Sequence, residues 1–185
     1  LGSTNDPAMS VPGITAAQYA LLHALSSAGL DIGLSQPADT LGHSQGILGA
    51  ELAKAWITKD AGQLARIFAI ARLIGAATSR ACRAAGISHA TRSPMLSVRD
   101  VSLADLEKMV EGTGATISIV NSRRRFIVSG HPTDLERVEL AADAAAKADR
   151  AELAGKTRGG MPLTPLMEYL EVEAPFHHEL LRPAY

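Results

Sequence analysis

The chain has 185 residues, 46% of them hydrophobic, enough to bury a real core in one globular domain. Eighteen basic and nineteen acidic residues leave a formal net charge of −1, which excludes a global pull toward nucleic acid or an anionic membrane. One cysteine, Cys82, excludes an internal disulfide framework and fits a reducing, cytoplasmic compartment.

No apolar run approaches the length of a membrane span, and no basic-then-apolar leader is visible. Leu1 to Pro7 reads as an irregular lead-in, and an apolar stretch runs up to Tyr185, so the expectation is a piece cut from a larger protein. A first helix is expected from Thr15, as its cap, to about Gly29. Asp31 to Asp39 is polar and turn-rich. Thr40-Leu41 then leads into Gly42-His43-Ser44-Gln45-Gly46, and Ile47 to Trp56 returns to helical spacing. A longer alanine-rich helix is expected from Asp60 to Ala85, with Cys82 as a small buried side chain within it.

After Pro94 the pattern changes. Met95 to Val98 reads as a strand, Ser102 as the cap of a helix over 103–111, and Ala115 to Val120 as a second strand. Asn121 to Arg124 reads as a hairpin connection into a third strand, Arg125 to Gly130. Thr133 is expected to cap a helix from Asp134 to about Ala154, followed by a loop to Pro165 and a last strand over 166–172. That order, β-α-β-β-α-β, is the split arrangement of a ferredoxin-like subdomain. The basic run Arg123-Arg124-Arg125 is either a solvated turn or a patch for a phosphate or an acidic partner.

Gly42-His43-Ser44-Gln45-Gly46 matches G-x-S-x-G, a serine on a tight strand-to-helix turn. Crowding at such a turn requires glycine neighbours. The hydroxyl is then presented at a helix N-terminus, where backbone N–H groups, that of Gln45 included, face a developing oxyanion. A nucleophilic serine needs a base. His23 lies inside the first helix and reads as structural, His43 as structural or as a wall of the pocket, and His89 and His131 as solvated turn residues. His177 and His178 remain, after the last strand, and the residues themselves do not choose between them.

The elbow resembles that of the acyl-CoA:acyl-carrier-protein transacylases of fatty acid and polyketide synthases. With Gln45 after the serine it is most similar to the acetyltransferase domain of the type I fatty acid synthases of fungi and mycobacteria. The resemblance extends to Val11-Pro12-Gly13-Ile14-Thr15, to Ile119-Val120-Asn121 with Phe126-Ile127-Val128-Ser129-Gly130, and to Pro175-Phe176-His177.

It implies an α/β fold. An α/β-hydrolase-like large subdomain, truncated at its N-terminus, would cover 1–94. A ferredoxin-like insert would cover 95–173, and a return to the large subdomain, truncated at its C-terminus, 174–185. It also implies His177 as general acid/base, Ser44 as nucleophile, and Gln45 as half of the oxyanion hole. Gly42, His43, Gly46, Ile74 and Asn121 would line the substrate. Acetyl-CoA would be the donor and the phosphopantetheine thiol of an acyl carrier protein the acceptor. No bound cofactor or metal is implied, and the other synthase domains and a large homo-oligomer are the implied surroundings.

Malonyl-specific relatives carry Arg-Gly on the long helix after the elbow, where Ile74-Gly75 stands here, which favours a neutral acyl group. A register two residues different would put Arg72 there and reverse the preference. The family's Gly-Gln-Gly segment, source of the second oxyanion donor, has no counterpart in this chain. The competing readings are a malonyl or palmitoyl transferase of the same fold, an α/β-hydrolase esterase, and a non-catalytic scaffold piece of a multienzyme. The esterase would need an acid, for which Asp134, Asp143 and Asp149 on one helix are poor candidates.

Overall fold

The structure is a computed structural model and describes residues 3–30, 39–154 and 163–184. The expected turn over 31–39 and loop over 155–165 lie mostly outside them. The chain divides into two compact units, Leu1–Ser79 and Arg80–Tyr185.

In the first unit, α1 runs Pro7–Ser27, with its cap more than two turns ahead of Thr15. Asp6 is the cap, its carboxylate accepting from Ala8 N at 2.9 Å, and Pro7 takes the first helical position, where its missing N–H costs nothing. Thr15 is therefore interior: it is buried, and its hydroxyl donates back to the Val11 carbonyl. Helix α2 spans Gly46–Ile57, and α3 spans Ala61–Ala84 after Asp60, whose carboxylate accepts from Gln63 N at 2.8 Å. Leu52, Ala55 and Ile67 form the core with Tyr19, Leu22, Leu64 and Phe68 around them. The Tyr19 ring meets Trp56 and Phe68 edge-on at 5.4 and 5.8 Å. A Cβ on Gly75 would overlap the Pro7 carbonyl, so α1 and α3 approach there to backbone contact.

The second unit holds β1 (Met95–Arg99), α4 (Leu103–Val110), β2 (Thr116–Ser122), β3 (Arg125–Ser129), α5 (Pro132–Ala154) and β4 (Leu166–Tyr169). The β-α-β-β-α-β order matches the sequence reading, and the strands form one antiparallel sheet in the order β2-β3-β1-β4. Leu96, Val98, Phe126 and Val128 project from one sheet face onto Leu106, Met109, Leu135 and Val138 of α4 and α5. Burying each such side chain contributes about 1.5–3 kcal/mol.

Boundaries shift where capping signals compete. Ser102 caps α4 as expected, accepting from Asp105 N. At α5 the cap is not Thr133: the helix starts at Pro132, and His131 carries the role. Its carbonyl accepts from Asp134 N and Leu135 N, and its ring lies 2.8 Å from Thr133 Oγ1. β2 runs through Asn121 to Ser122, so the connection shrinks to Arg123-Arg124. Past β4, a short 3₁₀ helix spans Glu179–Ala184, and Leu181 packs with Ala81, Cys82, Ile87 and Ala174. Among the described residues no helix is long and apolar enough to cross a membrane.

Candidate active site

Five residues in a row build the turn that carries Ser44. Gly46 N donates to the His43 carbonyl at 2.8 Å and Ile47 N to the Ser44 carbonyl at 3.1 Å, closing a tight turn onto the first turn of α2. Ser44 sits at φ 53°, in the left-handed region that a side chain occupies at a cost of about 1–2 kcal/mol. Gly42 is required by space: a Cβ there would overlap the Gly46 carbonyl and crowd Ile47 N. Gly46 is different, because a Cβ on it meets nothing within 4 Å.

Gln45 occupies the position before α2 without a side-chain cap bond. Its Nε2 instead donates to the Val11 carbonyl of α1 at 2.9 Å, beside the Thr15 hydroxyl on the same acceptor. Among the described residues nothing accepts from Gln45 N–H, which leaves that donor available at the turn next to Ser44. His43 and Ser44 are both exposed. No strand is assigned to Thr40-Leu41, because among the described residues no other strand pairs with it.

Ile74 lies on α3 in the same unit, 43% exposed. Arg72 lines a groove with Ala8, Met9 and Pro12 of α1 and Ala69, Leu73 and Ala76 of α3.

The second unit answers which histidine of the pair is committed elsewhere. His178 is buried, 6% exposed, and its Nδ1 accepts from Leu180 N at 3.1 Å. That bond puts the ring proton on Nε2, which donates to the Gly114 carbonyl at 3.1 Å. With both nitrogens engaged, His178 is a structural residue. His177 is exposed and sits at φ 62°.

The segment carrying His177 is also held from β3. Ser129 is fully buried, and its hydroxyl donates to the Phe176 carbonyl at 2.9 Å while lying 2.8 Å from Ser118 Oγ. Sequence reasoning missed this residue, though a serine closing an otherwise apolar buried strand was the signal. The side-chain bond of Gln45 carried no signal, since 34 positions separate it from its acceptor.

Asn121 is exposed near the end of β2. His23 is exposed, within 3.3 Å of Ser27 Oγ and edge-on to Trp56. His89 is exposed in a turn. Asp134, Asp143 and Asp149 all lie on α5, and Asp149 accepts from Leu163 N at 2.6 Å. Among the described residues no group of three or more histidine, cysteine or acidic side chains is arranged to hold a metal.

Comparison with known proteins places this geometry. The family model for the fatty acid synthase central AT domain matches residues 94–169. Over 145 residues, 75% of the chain, the sequence is 30% identical to highly reducing polyketide synthase 40 of Fusarium mangiferae, of which it spans 5%. The acyltransferase domain of the iterative polyketide synthase in enediyne biosynthesis superimposes with a TM-score of 0.62 at 29% identity, covering 97% of this chain and 38% of that one. MCAT from Mycobacterium tuberculosis gives a TM-score of 0.67 at 21% identity, covering 98% and 49%. A malonyl-transacylase solved with its type II polyketide synthase acyl-carrier protein gives 0.65 at 19% identity, covering 98% and 50%. At those last two identities the likeness is one of fold.

Proposed function

Because the chain belongs to the acyltransferase domains of fatty acid and polyketide synthases, we propose that it carries an acyl group from CoA to the phosphopantetheine thiol of an acyl carrier protein, through an ester on Ser44. The observation that carries the proposal is Ser44 in the left-handed conformation on a turn packed against Gly42, at the start of α2.

The chemistry is ping-pong nucleophilic catalysis. Ser44 Oγ attacks the thioester carbon as His177 takes its proton, and the oxygen of the tetrahedral intermediate accepts from Gln45 N–H. The intermediate collapses as His177 returns the proton to the departing CoA sulfur. The carrier thiol then attacks the acyl-serine, giving its proton to His177, which passes it to Ser44 as the ester breaks. Gly42 and Gly46 shape the turn, His43 and Asn121 border the substrate, and Gln45 uses its side chain to fix the turn to α1.

The finer reading is acetyl transfer, priming fatty acid synthesis in a multidomain synthase. On this reading Ile74 faces the acyl group and offers a carboxylate no counter-charge. Malonyl transfer fits the comparisons equally well, and the groove lined by Arg72 supplies it with a cation. The large subdomain would then be the α/β-hydrolase-like part around Ser44, and 95–173 its ferredoxin-like insert. The carrier protein and the remaining synthase domains are the partners this reading requires.

Intact mass after brief incubation with acetyl-CoA or malonyl-CoA tests it. An acetyl adduct on the wild type, absent from Ser44→Ala and dominant over malonyl, supports acetyl transfer, and Ile74→Arg should then shift the balance toward malonyl. A dominant malonyl adduct that Arg72→Ala removes reverses the specificity. No adduct from either donor on the folded chain overturns the function.

A further inference from the structure

We infer that the end of the small sheet carrying Arg99, Arg123 and Arg125 is a phosphate-binding site for the pantetheine-bearing substrate. Arg99 on β1 and Arg125 on β3 are direct partners in the antiparallel register. Both side chains therefore leave the sheet face opposite the Leu96, Val98, Phe126 and Val128 core. Like charges in direct register repel, so a bound anion between them would relieve a cost the sheet otherwise carries.

The local carboxylates absorb only part of this charge. Glu168 meets Arg99 Nη2 at 3.0 Å, and Asp100 is taken by Arg124, whose Nη2 also donates to the Asp100 carbonyl at 2.8 Å. Arg123 and Arg125 are exposed and have no ion-pair partner among the described residues. Arg99 Nε is buried with no acceptor among them. Arg99 and Arg125 thus stand side by side at one strand end, with Arg123 in the adjoining turn, and a phosphate oxygen is the acceptor that matches the guanidinium fork.

Placement favours a phosphate attached to a long arm over a free one. Arg99, Arg125 and Ser129 share a sheet face, since Met95 pairs with Ser129 as Arg99 does with Arg125. Ser129 anchors Phe176, the neighbour of His177. Four strand steps, roughly 13 Å, separate the arginine end of β3 from that anchor. Ile127, Met95 and Ser129 are buried on that face, so a phosphate held at Arg125 would leave a pantetheine arm to reach toward His177 outside the covered strip, over a separation of that order. The ligand's identity rests on the acyl-transfer reading.

The test is the affinity of the full chain for pantetheine, 4′-phosphopantetheine and CoA, in the wild type and in Arg123→Gln/Arg125→Gln, with Arg125→Lys as a partial replacement. Both altered positions are exposed, and a matching thermal melt checks that the double variant stays folded. The expected result is an about tenfold rise in Kd for the phosphate-bearing probes, with a weaker salt dependence, no change for pantetheine, and an intermediate value for Arg125→Lys. Loss with both phosphorylated probes identifies the phosphate shared by CoA and the carrier-borne arm. Loss with CoA alone assigns the site to the nucleotide phosphates of the donor. Equal affinities in wild type and variant, or an equal loss with pantetheine, overturn the inference. The acyl-enzyme on Ser44 is read separately by mass, so absence of that adduct removes the functional reading without deciding phosphate binding.

Discussion

The Ser129 hydroxyl donates to the Phe176 carbonyl at 2.9 Å, tying the end of β3 to the residue immediately before His177. The bond is fully buried on the serine side, so the backbone that aims the proposed base is fixed by a strand and not by the loop it belongs to. On the other flank, His178 is clamped between Gly114 O and Leu180 N. His177 projects between two anchored neighbours.

Ser129→Ala should therefore cost both stability and rate. Leaving the Phe176 carbonyl without its donor is expected to destabilise the fold by about 1–3 kcal/mol, read from a denaturant melt. The acylation rate of Ser44 should fall several-fold, and Ser129→Thr, which keeps the hydroxyl, should recover most of it. A rate unaffected by Ser129→Ala would show that the anchor does not position the base.

The two histidines should separate cleanly under substitution. His177→Ala is expected to abolish acyl transfer while destabilising less than His178→Ala. His178→Ala strips partners from Gly114 O and Leu180 N and should lower stability by about 2–4 kcal/mol. The opposite pattern would make His178 the base.

The elbow glycines should also behave differently. Gly42→Ala forces the turn apart at the Gly46 carbonyl and should destabilise by at least about 1–3 kcal/mol while removing the acyl-enzyme. Gly46→Ala enters open space on the first turn of α2 and should be neutral in a melt, or stabilising by up to about 1 kcal/mol. Paired melts and adduct masses check both.

Tyr169 supplies a pH signature. Its hydroxyl donates to Glu139 Oε2 at 2.8 Å, and Arg92 lies over its ring at 4.4 Å. Burial first, and then the bond and negative charge of Glu139, push its ionisation well above the ordinary tyrosine range. The native state thus holds a proton that the unfolded chain releases near pH ~10. The contribution is complete below that value and is lost as the pH climbs above it. Alkaline melts should show the wild type losing more stability than Tyr169→Phe above pH ~10. Parallel curves would show that the tyrosine titrates alike in both states.

Much of this was legible in the residues because local and tertiary preferences agree. The alternation in 95–130 and the Ser102 cap place the sheet and α4 to within a residue or two. The G-x-S-x-G spacing locates the turn because its first glycine answers a steric demand. What was illegible depended on competing local signals or on distant partners. Asp6-Pro7 starts α1 ahead of Thr15 because a carboxylate cap followed by proline outweighs a threonine more than two turns later. Asn121 joins β2 because cross-strand pairing continues through Ser122, leaving only two residues to turn. The roles of Ser129 and His178 hang on carbonyls 47 and 64 positions away, which no local pattern announces.

The contact of Gly75 with the Pro7 carbonyl works as an index mark on α3. A helix touching its neighbour backbone to backbone cannot roll about its own axis without collision, so the angular bearing of every residue on that stretch is set by position 75. The residue before it then becomes a free variable: exchanging the side chain at 74 alters what the helix presents without re-registering the helix. If residue 74 faces the acyl group as proposed, selectivity can drift in such a scaffold by single substitutions while its architecture stays still.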